Sequence, residues 1–221
     1  MGRSIDRSPP AGLMLGVTFN HGDARDHSPN DHVPTVTGAT IGTDASFDGS
    51  NDYIGYPDSA NLYSGTAFSV MMWGKAASAA NSKYILGQYY YATNNRSWAF
   101  FSDGVGGTFN VVVTSDGSAT LKKTYSALSG TFLNGSWHSL GFTWDSGTLK
   151  LYQDGAEESV TKFSDDSFTS MFEPTSDVMI GSAGSIGADA LHWGGNVDNV
   201  ELHSRVLTLK DFQIYHQQGR R

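Results

Sequence analysis

The chain has 221 residues, no cysteine, and 14 lysines and arginines against 22 aspartates and glutamates, a formal charge of −8. That length suffices for one good core, and all-β sandwiches of this size are routinely single domains. The acid excess, with no basic stretch beyond the last two residues, leaves no footprint for nucleic acid, and the missing cysteines exclude disulfides, thiolate metal sites and thiol nucleophiles.

Residues 1–12, MGRSIDRSPPAG, are polar and show no apolar periodicity, which predicts an extended arm ahead of a domain spanning 13–221. In that arm Arg3, Ile5, Arg7, Pro9 and Pro10 are the candidate partner contacts. The segment lacks the apolar core of a secretory signal, and no run of about 18 apolar residues occurs in the chain, so membrane insertion is not expected. Synthesis in the cytoplasm is expected, with release by another route such as a virion freed by lysis; an extracellular protein is the alternative.

LMLGVTF, residues 13–19, is the first strand candidate. The polar loop DARDHSPND follows, where Asp23, Asp26, Asn30 and Asp31 offer oxygens of the kind calcium takes. His21, His27 and His32 lie too far apart for a zinc motif and are expected to be solvated. In SFDGSNDYIGY, Asp48, Asn51 and Asp52 sit between two β-type runs and are read as turn formers in preference to cation ligands.

Phe68, Val70 and Met72 share one face of FSVMMWG, and Phe109, Val111 and Val113 share one face of FNVVVT; apolar Met71 and Val112 on the reverse faces mark both as central strands. Between them, KYILGQYYY and SWAFFSD flank the tip TNN. Tyr89, Tyr90, Tyr91, Asn94, Asn95 and Trp98 there, joined by His192 and Trp193 from a later loop, supply the aromatic faces and amides that bind sugars. The competing reading is that alternate rings simply fill the core and its rim.

In WHSLGFTWD the alternation sends His138, Leu140, Phe142 and Trp144 one way and Ser139, Gly141 and Thr143 the other, a half-buried strand. Asp145-Ser146-Gly147 turns it into LKLYQ, which ends at Asp154-Gly155; Trp137 and Trp144 are expected in the core. DVMIGS and NVDNVELH complete the strands. One short helix is predicted near the C-terminus, with Thr208 as N-cap, Asp211 closing a capping box, Leu207 stapled to Phe212, and Phe212 and Tyr215 on one face.

The ordered series SFDGSNDYI, FSVMMWGK, YILGQ, GSWHSLGFTWDSGTLKLYQDG, DVMIGS and GGNVDNVELHSRVLTLKDFQIYHQ resembles the laminin G-like and pentraxin-like group of concanavalin A-like sandwiches over about residues 13–216. The resemblance implies an all-β fold, a two-sheet antiparallel jelly roll with one short C-terminal helix. It does not fix a function, because that fold serves lectins, adhesion modules, glycan-active enzymes and viral structural proteins. Calcium is possible by the same resemblance. In pentraxin-like proteins two ligands would fall near Asn94 and Asn95, but the second acidic loop, residues 181–189, holds only Asp189.

Glycosidases of this fold carry E-x-D-x-x-E, and none of Glu157, Glu158, Glu173 and Glu201 begins that spacing; in a regular strand Asp198 and Glu201 would face opposite ways. Nucleophile-elbow, H-E-x-x-H and phosphate-loop motifs are missing too. A non-catalytic role is therefore expected. Two readings remain: a subunit of a larger assembly, most simply a virion decoration, cement or attachment protein that self-associates and docks its arm on neighbouring subunits, or a stand-alone carbohydrate-binding module.

Overall fold

Alternating apolar residues put one side of nearly every strand into a shared interior, and the strands stack as two antiparallel sheets. The computed structural model describes residues 11–76, 83–102 and 107–220; the arm contacts expected at Arg3, Ile5, Arg7, Pro9 and Pro10 lie outside the described residues. In chain order the strands are β1 (Leu13–Val17), β2 (Thr35–Thr37), β3 (Thr40–Ile41), β4 (Ala45–Asp48), β5 (Tyr53–Tyr56), β6 (Ala67–Ala76), β7 (Lys83–Tyr90), β8 (Asn95–Ser102) and β9 (Asn110–Gly117). There follow β10 (Lys122–Ala127), β11 (His138–Asp145), β12 (Thr148–Gln153), β13 (Ala156–Glu157), β14 (Val160–Asp165), β15 (Val178–Ile180), β16 (Ala183–Ser185), β17 (Ala188–Ala190), β18 (Gly194–His203) and the helix α1 (Leu209–Gln218).

The first sheet runs β13-β12-β11-β6-β18-β4-β3, with β1 also paired to β18; the second runs β14-β10-β9-β8-β7-β15-β5-β2. A small β16-β17 hairpin forms a sheet of its own, with β16 close beside β7. Between the sheets pack Phe68, Trp98, Phe100, Phe109, Phe142, Trp144 and their aliphatic neighbours. The expected β11–β12 hairpin forms, with Asp145 opposite Thr148. Its two turn residues, Ser146 and Gly147, both take positive φ (43° and 105°), which matches the turn to the right-handed strand twist.

β11 is not half-buried. Its reverse face, Ser139, Gly141 and Thr143, is buried as well, because α1 lies across this sheet. Phe212 and Tyr215 meet Met71, Trp73, Tyr152 and Leu207 there, and the Tyr152 and Phe212 rings stack 3.9 Å apart. A Cβ on Gly141 would come within 2.3 Å of the Phe212 ring, so only glycine admits the helix. The capping box forms as predicted, and α1 extends over ten residues. Trp144 is core, whereas Trp137 is only partly buried at the edge of the helix-covered cluster.

β18 departs from regular alternation. Asn199 takes a positive φ of 46°, and the β18–β6 register shifts between Asp198 and Glu201. This bulge places Val197 and Val200 both in the core, and sets Asp198 opposite Trp73 and Glu201 opposite Met71, two residues of the outer, helix-covered cluster. Asp198 and Glu201 therefore share a face, contrary to the regular-strand expectation. Each has its own partner, Arg220 for Asp198 and His203 for Glu201.

At the far edge of the second sheet, Asp165 on β14 meets Lys123 at 2.5 Å and Lys162 at 2.9 Å, and accepts the Tyr125 hydroxyl. The hydrogen bonds from Lys123, Tyr125 and Lys162 hold its carboxyl well below the usual carboxylate range. A depressed folded value means that the stabilisation is present above the unfolded value of about 4 and is lost as pH falls through the folded one. Asp165→Asn is thus expected to lower the urea midpoint at neutral pH, with the gap from the wild-type chain closing in strong acid.

Candidate glycan-binding face

The outer face of the second sheet carries a row of aromatic rings. Tyr84 on β7 lies directly opposite Phe101 on β8, with ring centroids 5.5 Å apart and planes 25° from parallel. On its other side Tyr84 stacks with Tyr89 at 5.4 Å, and the Arg96 guanidinium caps the row 5.9 Å from the Tyr89 ring. All three rings remain partly exposed. Ala99, opposite both Gly87 and Val112, shares the face of Phe101 and leaves only small side chains beside the rings on β7 and β8. A Cβ on Gly87 would sit 2.8 Å from the Ala99 Cβ and the Trp98 carbonyl, so no larger residue fits. Burial pushes the Tyr84 and Tyr89 phenols up, so both keep their protons at neutral pH.

The β7–β8 tip is built rather than loose. Arg96 donates to the Tyr91, Gly117 and Ser118 carbonyls and to the Asn94 side-chain oxygen, tying the tip to the β9–β10 turn. Asn95 spends both ends of its amide on Thr175, donating to its hydroxyl at 2.9 Å and accepting its backbone N–H at 2.8 Å. Tyr91 stands at the tip 43% exposed, with Asn94 exposed and Tyr90 half-buried beside it. His192 lies against Tyr84 through a backbone bridge, its ring held by Asp189 at 3.1 Å and by the Asp52 carbonyl at 3.4 Å.

Two expected sugar-stacking residues are not on this face. Trp98 is 1% exposed and packs on Phe68 and Phe142; Trp193 is 0% exposed and stacks on Phe132 at 5.7 Å. Single-residue alternation sends each ring inward and its neighbour outward. Tyr84, Phe101 and Arg96 escaped the sequence reading. Their signal was the position of Tyr84 and Phe101 at the outer ends of KYILGQYYY and SWAFF, but only the strand register makes them neighbours.

In the acidic loop the candidate side chains already have protein partners. Asp26 is buried, and its two carboxylate oxygens accept the Gly16, Ser28 and His32 amides and lie 2.8 Å from the Ser28 hydroxyl. Asn30 donates to the Met14 carbonyl, Asp23 accepts the Arg25 amide, and Asp31 pairs with Arg25. Among the described residues, no three His, Cys, Asp or Glu side chains gather into one cluster. Asp48 and Asp52 serve as turn formers: Asp48 accepts the Ser50 amide and Asp52 accepts the Asp48 amide.

No curated protein matches the chain. Solved structures do. The receptor binding domain of botulinum neurotoxin C/D mosaic serotype aligns with a TM-score of 0.71 at 18% identity, covering 94% of this chain and 51% of that one. The botulinum neurotoxin serotype G binding domain gives 0.69 at 14%, with 93% and 51% covered. The binding domain of Paraclostridial Mosquitocidal Protein 1 gives 0.72 at 11%, with 94% and 52% covered. At these identities the likeness shows the fold alone, and the chain spans about half the length of those structures. A laminin G-like family model matches residues 48–213, and with the two-sheet sandwich around it this places the chain in the concanavalin A-like lectin/glucanases superfamily.

Proposed function

We propose that this chain is a non-catalytic binding domain that takes glycans on the outer face of its second sheet. The observation that carries this reading is the Phe101–Tyr84–Tyr89 row, three stacked and partly exposed rings capped by Arg96. A sugar offers apolar C–H faces to such rings and hydroxyls to the flanking polar groups, here the Tyr91–Asn94 tip and the His192–Asp189 pair.

The test is a glycan panel titrated against the chain and against Tyr89→Ala. The variant is expected to stay folded by circular dichroism and to bind about tenfold more weakly, the loss of one stacked ring. A wild-type chain that binds no glycan at millimolar concentration would sink the proposal.

A second reading places the domain in a virion, as a capsid decoration, cement or attachment protein whose copies associate with one another. Its support is the polar, proline-bearing composition of residues 1–12, which suits docking on neighbouring subunits. Deleting residues 1–12 separates the two: shell attachment would be lost while glycan binding by the sandwich is kept.

A further inference from the structure

On the opposite side of the sandwich, the outer face of the first sheet holds a built cation site. Arg220, just past the Gly219 cap of α1, lays its guanidinium over the Trp137 ring, 3.7 Å from the centroid. Its Nε donates to Asp198 Oδ2 at 3.1 Å and its Nη2 to Asp44 Oδ2 at 3.0 Å. Each carboxylate is anchored through its other oxygen: Asp198 Oδ1 accepts the Asn199 amide at 2.8 Å, and Asp44 Oδ1 accepts the Asn196 side-chain amide at 2.9 Å. Asp198 is fully buried and Trp137 is half-buried, with Lys75 at the ring's margin 5.7 Å away. Two fixed carboxylate oxygens and an aromatic plane define a slot for a flat, forked cation.

We propose that this slot is an arginine-recognition site, filled in cis by Arg220 and able to take an arginine side chain from a partner polypeptide when the residues after α1 swing away. A planar guanidinium satisfies both carboxylates and the ring together, whereas an ammonium meets one at a time. The tether is light. Gly219, at a positive φ of 69°, joins Arg220 to the helix; its N–H donates to the His216 carbonyl at 3.1 Å, and its carbonyl accepts from the Asn199 side-chain amide at 3.5 Å, the outer limit of a hydrogen bond. Burial pushes the Asp198 carboxyl up and the Arg220 charge opposes that rise, so an emptied slot leaves a buried acid seeking a cation. The site is independent of the aromatic row on the second sheet.

The experiment is Arg220→Ala titrated with L-arginine amide, and with L-lysine amide at equal ionic strength, read by melting temperature and calorimetry. The expected result is a lowered melting temperature that arginine amide restores saturably and lysine amide does not. In the wild-type chain arginine amide must compete with Arg220, so calorimetry is expected to show saturable binding only at higher concentration, and no binding there would overturn the exchange. Adding Asp198→Asn to the variant abolishes the rescue. Equal rescue by the two amides, or none, would overturn the proposal. If Arg220→Ala fails to fold, Arg220→Lys keeps the charge without the fork; arginine amide should then raise its melting temperature, and no rise would equally refute the site.

Discussion

Replacing Trp98 with alanine is expected to destabilise the sandwich by about 3–5 kcal/mol, a cavity-scale loss for a large buried aromatic. Trp98 is 1% exposed and sits 5.2 Å from Phe68 and 5.8 Å from Phe142, centroid to centroid. Phe142 in turn contacts Phe68 and Phe100, so the ring joins strands of both sheets. Native domains hold only about 5–15 kcal/mol in total, which makes this loss a large fraction of what keeps the chain folded. Urea unfolding should show a lower midpoint at unchanged slope. Glycan binding by the variant should fall only with its folded fraction. A variant that stays as stable as the wild-type chain yet loses its ligand would return Trp98 to the binding face.

The sequence disclosed elements whose determinants are local. The β11–β12 turn was legible because Ser146-Gly147 accepts positive φ, and the α1 start because Thr208 and Asp211 cap each other within four residues. What it hid depends on register and on distant partners. Gly141 looked like the polar side of a half-buried strand, because nothing in WHSLGFTWD announces a helix from residue 209 packing on it. Asp198 and Glu201 looked opposed because the Asn199 bulge has no clear mark in NVDNVELH. The candidate face was half visible: the cluster of tyrosines around TNN was apparent, but Phe101 becomes the neighbour of Tyr84 only through β7–β8 pairing. The arginine slot was invisible, since Asp44 lies 176 positions from Arg220 in the chain.

Asp26→Ala is expected to cost about 3–5 kcal/mol although it removes one small side chain, because each buried donor left unpaired costs about 1–3 kcal/mol. The Gly16 and Ser28 amides donate to Asp26 Oδ1 at 3.0 and 2.8 Å, and the His32 amide donates to Oδ2 at 2.9 Å. These three backbone groups belong to β1 and to the loop that returns beside it, where His27 also bonds the Gly16 carbonyl at 2.7 Å. Asp26 therefore fastens the returning loop to the edge of β1 that faces away from β18, and alanine cannot replace it. Asp26→Asn keeps one acceptor oxygen but turns an NH2 toward a donor, so it should recover part of the loss at most. A chelator distinguishes this account from a calcium loop. Excess EDTA should leave the wild-type melting temperature unchanged, whereas a cation held by Asp23, Asp26, Asn30 and Asp31 would make EDTA reproduce the Asp26→Ala loss.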